Sequence, residues 1–183
     1  REPQELKAAI KLGTDAGVES SLVDEANRIY VIEERRASAM ESVRQAIRSK
    51  DVAALQVAIE EGSSAGIQQS LVEEASQLMM LQKKREVAQI SLHEAMISRD
   101  IGALRAAIDA GKRVDVEAGI LERASTMLGK EELRSTTTAA LRVAVSNRDV
   151  VALETALEES HNLDIESSLV QEAERVLGVE RRR

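Results

Sequence analysis

The chain of 183 residues contains no Trp, no Phe and a single Tyr. Its apolar core must therefore be built from Leu, Ile, Val, Ala and the five Met. Alanine and unbranched side chains favour the α-helix, whereas sheets are enriched in aromatic and β-branched residues. The one proline is Pro3, so no proline interrupts a helix farther along the chain. The composition predicts an all-α fold.

Three further features limit the classes of function. The chain has no Cys, which excludes disulfides and thiolate metal sites. No apolar segment approaches the roughly 20 residues of a membrane-spanning helix, so we expect no transmembrane segment. The net charge of −7 and the lack of aromatic stacking residues argue against a nucleic-acid partner.

Sequence patterns of catalysis and metal binding are also missing. His93 and His161 are the only histidines, and neither has a second ligand or a catalytic partner at a suitable spacing. The sequence contains no Gly-rich phosphate loop, no HExxH and no GxSxG. We therefore expect no catalytic centre, no metal and no cofactor, and we interpret the chain as a non-enzymatic protein.

What the sequence does contain is a repeat with a period of 49 residues. The differences 55−6, 104−55 and 153−104 between four leucines all equal 49. Self-similarity of this kind is typical of arrays in which each unit buries its face against its neighbours. We therefore predict repeats over residues 1–49, 50–98 and 99–147, and a truncated fourth over 148–183. The columns that keep the spacing are Leu6, Leu55, Leu104 and Leu153; Ala9, Ala58, Ala107 and Ala156; Ile10, Ile59, Ile108 and Leu157; Val18, Ile67, Val116 and Ile165; Leu22, Leu71, Ile120 and Leu169; and Ala26, Ala75, Ala124 and Ala173.

Each repeat begins with a predicted short helix. Asp51 is a candidate N-cap in the second repeat, and Gly62 is expected to end that helix. Asp100 and Asp149 lie 49 and 98 residues after Asp51 and predict the same cap. In the first repeat Pro3 takes the first helical position, which proline tolerates because its missing N–H would be unpaired there.

A long helix follows each short one. In the second repeat it is predicted over about residues 68–98, after a loop over 62–66, with apolar ends and a polar middle from Gln82 to Gln89. Because such a helix can serve a different core at each end, we expect its middle to lie in solvent between them. One three-helix cluster would combine the end of one long helix, the next short helix and the start of the following long helix. Its predicted members in the third repeat are Leu92, Met96, Leu104, Ile108, Ile120 and Ala124.

This connectivity resembles that of spectrin-type rods, in which continuous helices join successive three-helix units. The similarity is one of connectivity, since these repeats are less than half as long and lack the spectrin Trp. We expect an extended rod in which each repeat advances roughly 28 Å. The alternative is a compact superhelix of the HEAT or armadillo kind, which requires the long helix to break in its middle. Gly129 and the threonines at 136–138 would favour such a break in the third repeat.

A column of basic residues runs through the polar middles of the long helices. The simplest interpretation is that these cations pair with acidic residues such as Glu33, Glu60, Glu61 or Asp109 and keep the middle helical. The alternative is a dock for an acidic partner or an anionic membrane surface. The candidate partner-binding residues are Arg36, Lys83, Lys84, Arg85, Arg134 and Arg183.

These observations predict a structural or scaffold segment that mediates protein–protein interaction within a larger assembly, such as a cytoskeletal or ciliary structure. Its partners would be proteins, including other copies or neighbouring repeats of the same array, and we favour a cytoplasmic or cytoskeletal location. An accessory or regulatory region of a larger enzyme is the alternative. Because Arg183 aligns with the middle of the long helices, we also expect the chain to be a piece of a longer array.

Overall fold

The computed structural model describes residues 3–182, and these residues form eight α-helices and no β-strand. The prediction of an all-α fold is confirmed. Three helices of 30 residues, α2, α4 and α6, alternate with shorter ones. The helices are α1 (Pro3–Asp15), α2 (Ser20–Ser49), α3 (Val52–Ala65), α4 (Gln69–Ser98), α5 (Ile101–Arg113), α6 (Ala118–Asn147), α7 (Val150–Ser160) and α8 (Ser167–Glu180).

Aspartates cap the N-termini of three short helices. Asp51 and Asp100 each accept a hydrogen bond of 2.7 Å from the backbone N–H three residues later. Asp149 accepts from the N–H groups two and three residues later, at 3.0 and 3.2 Å. Each side chain satisfies donors that have no partner inside the helix. The three predicted caps are confirmed, and α1 begins at Pro3.

Gly62 does not end α3, so that prediction is wrong. The helix continues to Ala65, and Gly66 ends it with a left-handed φ of 65°. The loop predicted over 62–66 is therefore mostly helix. Gly62 is buried, and a Cβ atom there would lie 3.2 Å from Cγ2 of Val43 on α2. The glycine allows two helices to approach closely, which a sequence pattern does not distinguish from a helix terminator.

The described residues form two compact units, which divide between Glu86 and Val87. In the first unit, one core combines the end of α2, the middle of α3 and the start of α4. Its buried members are Val43, Ala46, Leu55, Ala58 and Ala75.

The second unit contains two cores. The first joins the end of α4, α5 and the start of α6, and the second joins the end of α6, α7 and α8. All six residues that the sequence assigned to one cluster lie in the first core, so this prediction is confirmed. The buried members of the second core are Leu141, Ala144, Leu153, Ala156, Leu157, Leu169 and Ala173.

Helix α6 serves both cores of the second unit. Ala124 lies in the first core and Leu141 in the second, and the helix is continuous between them. The break that a compact superhelix requires is therefore absent from α6. The hydroxyl groups of Thr136 and Thr138 donate to carbonyl oxygens four residues earlier, which accommodates both threonines within the helix.

The middle of α6 is not wholly in solvent, which corrects the expectation from its polarity. Glu131 and Thr137 are buried. The Thr137 hydroxyl lies 3.4 Å from Oε2 of Glu159 on α7, and Glu131 is paired with arginines. These polar side chains can be buried because each has a polar or charged partner.

Candidate interaction cleft on helix α6

A cleft in the second unit lies beside the middle of α6. Three segments line it: the junction of α4 and α5, about three turns of α6, and the loop between α7 and α8. Its volume is about 510 Å³. The charged residues that line it are Arg99, Asp100, Glu131, Arg134, Arg142, Asp164 and Glu166.

Arg99 is the first residue after α4, and the way that helix ends determines its position. It has a left-handed φ of 55°, and its N–H donates to the carbonyl oxygen of Ala95 at 3.0 Å. The chain then turns directly into the cap of α5 at Asp100. A non-glycine residue in this conformation is unfavourable by roughly 1 kcal/mol, and a basic side chain at a helix C-terminus offsets part of that.

Glu131 is the buried charge of the cleft, with 8% of its side chain exposed. Nε of Arg134 lies 2.8 Å from its Oε2, and Nη1 of Arg99 lies 3.9 Å from its Oε1. Although Arg134 is this close, Oε2 receives no well-directed hydrogen bond, and the contact is an ion pair. Nη1 of Arg99 also lies 3.7 Å from Oδ2 of Asp164. Glu131 and Arg99 thereby link all three segments of the cleft.

The chemistry of the cleft favours recognition of mixed charge. The Arg99 and Arg134 side chains remain about half exposed above the buried carboxylate, and Asp164 is exposed beside them. Cations and anions therefore lie side by side at the opening. Such a surface matches a partner that carries both signs of charge better than it matches a polyanion.

The described residues of the predicted basic column lie on different helices. Arg134 lines the cleft, while Arg36 lies on α2 in the first unit, where its Nη1 is 3.0 Å from Oε1 of Glu33. Arg36 and Arg134 thus each pair with a glutamate three residues earlier, as the simplest interpretation predicted for Glu33. The dock for an acidic partner stays a prediction.

The remaining residues of the column lie on α4 or near the end of the chain. Lys83 and Lys84 are exposed on α4, and Arg85 next to them is half-buried. Arg183 lies outside the described residues.

Arg99, Glu131 and Asp164 were not predicted from the sequence as site residues. A signal was nevertheless present. Arg148 lies 49 residues after Arg99, Glu180 lies 49 residues after Glu131, and Nη1 of Arg148 is 3.2 Å from Oε1 of Glu180. An arginine that directly follows α4 or α6 therefore pairs, in both cases, with a glutamate 32 residues later, on α6 or α8. A comparison of charged residues at the 49-residue spacing would have revealed this pair.

No group of three or more His, Asp or Glu side chains within residues 3–182 is placed to hold a metal ion. None of the helices in that range combines the length and the hydropathy needed to cross a bilayer. Comparison of the chain with protein-family models, with curated proteins and with solved structures gave no match.

Proposed function

We propose that this chain is a non-catalytic scaffold segment, built from 49-residue helical repeats, that binds other proteins. The observation that carries the proposal is the continuity of α6 between two cores. A helix shared in this way builds clusters in series along the chain. Arrays of this kind offer long surfaces for partners from small cores.

The spacing of the helices supports the repeat. Helices α2, α4, α6 and α8 begin at residues 20, 69, 118 and 167, so that 69−20, 118−69 and 167−118 all equal 49. The three aspartate caps at 51, 100 and 149 keep the same spacing. We take residues 1–49, 50–98, 99–147 and 148–183 as the proposed repeats.

An exposed apolar stripe on α4 supports binding to proteins. Val87, Ile90 and Ile97 lie near one face of the helix and are exposed. The residues 49 positions earlier on α2 are Ser38, Glu41 and Arg48, and those 49 positions later on α6 are Thr136, Ala139 and Ser146. Because equivalent helices fold with polar or small residues there, the apolar side chains of α4 are not required by the core.

We further propose that the repeats run as an extended rod. A 30-residue helix spans about 45 Å, which separates the cores at its two ends. If each long helix behaves as α6 does, each repeat advances the array by roughly 28 Å. Small-angle X-ray scattering tests this arrangement. We expect the particle to have a maximum dimension of about 100 Å, and the scattering profile of a globule would contradict the rod.

A partner-capture experiment tests the function. The chain is immobilised and exposed to extract from its native source, in parallel with the Ile90→Glu/Ile97→Glu variant and a Val143→Glu control. Ile90 and Val143 are 59% and 58% exposed, so neither charge enters a core. We expect a protein retained by the wild type and by the control but lost by the double variant. Retention of the same protein by all three would show that the α4 stripe is not the binding surface.

A dock for an acidic partner is the second candidate. It rests on the half-exposed guanidinium groups of Arg134 and Arg99 alone, since the carboxylates beside them in the cleft favour a partner of mixed charge. The Arg85→Gln/Arg134→Gln variant should weaken binding of an acidic partner while the helical circular dichroism stays unchanged. Unchanged affinity would discard this candidate.

A further inference from the structure

The apolar faces of α1 and of the start of α2 are poorly covered. Leu55, Leu104 and Leu153, on α3, α5 and α7, are fully buried, whereas Leu6 of α1 is only half-buried and α1 has no buried residue. Leu22 on α2 is 55% exposed. Val18 and Ile29 are exposed as well. We call this surface the α1–α2 groove, formed by Leu6, Ile10, Val18, Leu22, Ala26 and Ile29.

The three cores show what covers the equivalent groove elsewhere. In each, the last turns of a preceding long helix pack onto the short helix and the start of the next long helix. The residues that they contribute share one pattern, a large aliphatic side chain followed three residues later by alanine and then by another aliphatic side chain. These residues are Val43, Ala46 and Ile47; Leu92, Ala95 and Met96; and Leu141, Ala144 and Val145.

The glycines of the short helices also differ in their neighbours: those of α3 and α5 lie close to a third helix, and that of α1 does not. A Cβ atom at Gly62 would lie 3.2 Å from Val43, and one at Gly111 would lie 3.0 Å from Leu92, so the third helix approaches both glycines closely. At Gly13 of α1 the nearest atoms belong to Val18, at 3.7 Å. Gly13 therefore lies where a helix can approach, with none there.

Glu33, at the edge of the groove, carries a negative charge that suits a basic residue at the end of a long helix. Arg99 and Arg148 follow the ends of α4 and α6 and pair with Glu131 and Glu180. Glu33 precedes Glu131 by 98 residues, twice the 49-residue spacing, and its side chain is partly exposed. A helix seated in the groove and followed by a basic residue would place that cation near Glu33.

We infer that the α1–α2 groove binds the C-terminal turns of an amphipathic α-helix that lies outside the described residues, with the pattern aliphatic, Ala and aliphatic at positions i, i+3 and i+4. That helix ends on a basic residue, which pairs with Glu33. The groove and this helix complete a three-helix cluster like the three described ones. The inference rests on the proposed repeat and adds the kind of partner that this end of the chain binds.

A second copy of the chain is not the occupant that we infer. The segments with the required pattern, at the ends of α2, α4 and α6, are already packed in their own cores. A second copy would have to unfold one core to fill the groove of its neighbour. A separate helix has no such penalty beyond its own ordering.

A peptide with the sequence of residues 85–100 serves as the probe. Gln89→Glu and His93→Lys, both at exposed positions, are joined by a lactam so that the peptide is helical before binding. Titration calorimetry with the whole chain measures its affinity, and hydrogen exchange locates it. We expect saturable one-to-one binding that slows exchange in α1 and in the first turns of α2, and no binding of the same peptide with Leu92→Asp.

Variants of the chain test the position of the peptide. Leu22→Glu places a charge under the peptide and should weaken binding at least about tenfold. Val57→Glu is the matched control, because Val57 is also 55% exposed but belongs to α3, and it should bind as the wild type does. Gly13→Leu should block the approach of the peptide without adding charge. Glu33→Gln should weaken binding about threefold at low salt and less at high salt.

Three results would overturn the inference. One is the absence of binding to the helical peptide. Another is equal binding by Leu22→Glu and Val57→Glu. The third is self-association of the wild type that Leu22→Glu abolishes, since a second copy would then cover the groove. None of these measurements uses the length of the particle or a protein captured from an extract, so failure here leaves the scaffold proposal to be decided by scattering and partner capture.

Discussion

Arg36 donates a hydrogen bond from Nε to the carbonyl oxygen of Ala65, the last residue of α3, at 3.3 Å. The carbonyl groups at a helix C-terminus lack intrahelical donors, and that end carries partial negative charge. A guanidinium group there stabilises α3 and holds it against α2. This member of the basic column thus has a structural role in addition to any partner that it binds.

Replacing Arg36 should therefore lower stability. For Arg36→Gln we expect a loss of about 0.5 kcal/mol in the free energy of unfolding, because the side chain is partly exposed and its charge is screened. Urea unfolding followed by circular dichroism measures it. Arg44→Gln, at an exposed position on the same helix, is the control and should change little. Equal stability of both variants would contradict the capping role.

The ion pairs of Glu131 should make a larger contribution. Glu131→Gln keeps the shape of the side chain but removes the charge that faces Arg99 and Arg134, and we expect a loss of about 1 kcal/mol. High salt should reduce the difference between wild type and variant only in part, since the carboxylate is buried. Glu122→Gln, an exposed site on α6, is the control in the same urea titrations. A stabilised Glu131→Gln variant would show that burial of the charge outweighs its pairing.

Gly111 and Gly13 should respond in opposite ways to leucine. Cβ at Gly111 would lie 2.9 Å from Leu121 and 3.0 Å from Leu92, so Gly111→Leu overpacks a core and should lose about 1–3 kcal/mol. A Cβ atom at Gly13 would meet only Val18, at 3.7 Å, so Gly13→Leu should gain helix propensity, and we predict a gain of about 0.8 kcal/mol. Thermal unfolding of both variants provides the comparison. A destabilised Gly13→Leu variant would mean that the α1–α2 groove is already closed in solution.

Tyr30 should titrate above its ordinary pKa of 10.0. Its hydroxyl donates to Oε1 of Glu34 at 2.6 Å, which favours the neutral phenol, and burial and the charge of Glu34 also raise the pKa. Lys7, 5.7 Å from the ring centroid, acts in the opposite direction. The pKa is raised on folding, so the stabilisation is complete below the unfolded value and is lost as pH rises through the folded one.

The measurement on Tyr30 is simple, because the chain has one Tyr and no Trp. Phenolate absorbance against pH should give a midpoint above 10.0 for the wild type and one closer to 10.0 for Glu34→Gln. Lys7→Gln should move the midpoint higher. Identical midpoints for all three proteins would exclude the hydrogen bond in solution.

The sequence predicted the helices well where one local signal has one physical cause. A carboxylate before an apolar periodic segment caps a helix, so the role of Asp100 could be predicted without knowledge of the fold. The apolar spacing around Leu104 likewise predicted the members of its core. Gly62 was misjudged because glycine serves both helix ends and close helix contacts, and only the approach of Val43 distinguishes them.

The cleft was harder to predict because it depends on contacts between distant segments. Arg134 was singled out from its column, but Glu131 was treated as part of a solvated polar stretch. One of its ion-pair partners is Arg99, 32 residues away, which the left-handed end of α4 brings to α6. Pairing across elements has no periodic signal in one helix, so polarity alone predicted solvent exposure.

The continuity of α6 has a consequence for how the second unit melts. Interrupting a helix in its middle creates two new ends and requires a new nucleus on re-formation, which is unfavourable. The two cores that α6 connects should therefore lose their structure in a single transition. Heat or mechanical load that unfolds the core around Leu153 would then also unfold the core around Leu104, although the two leucines lie in separate cores.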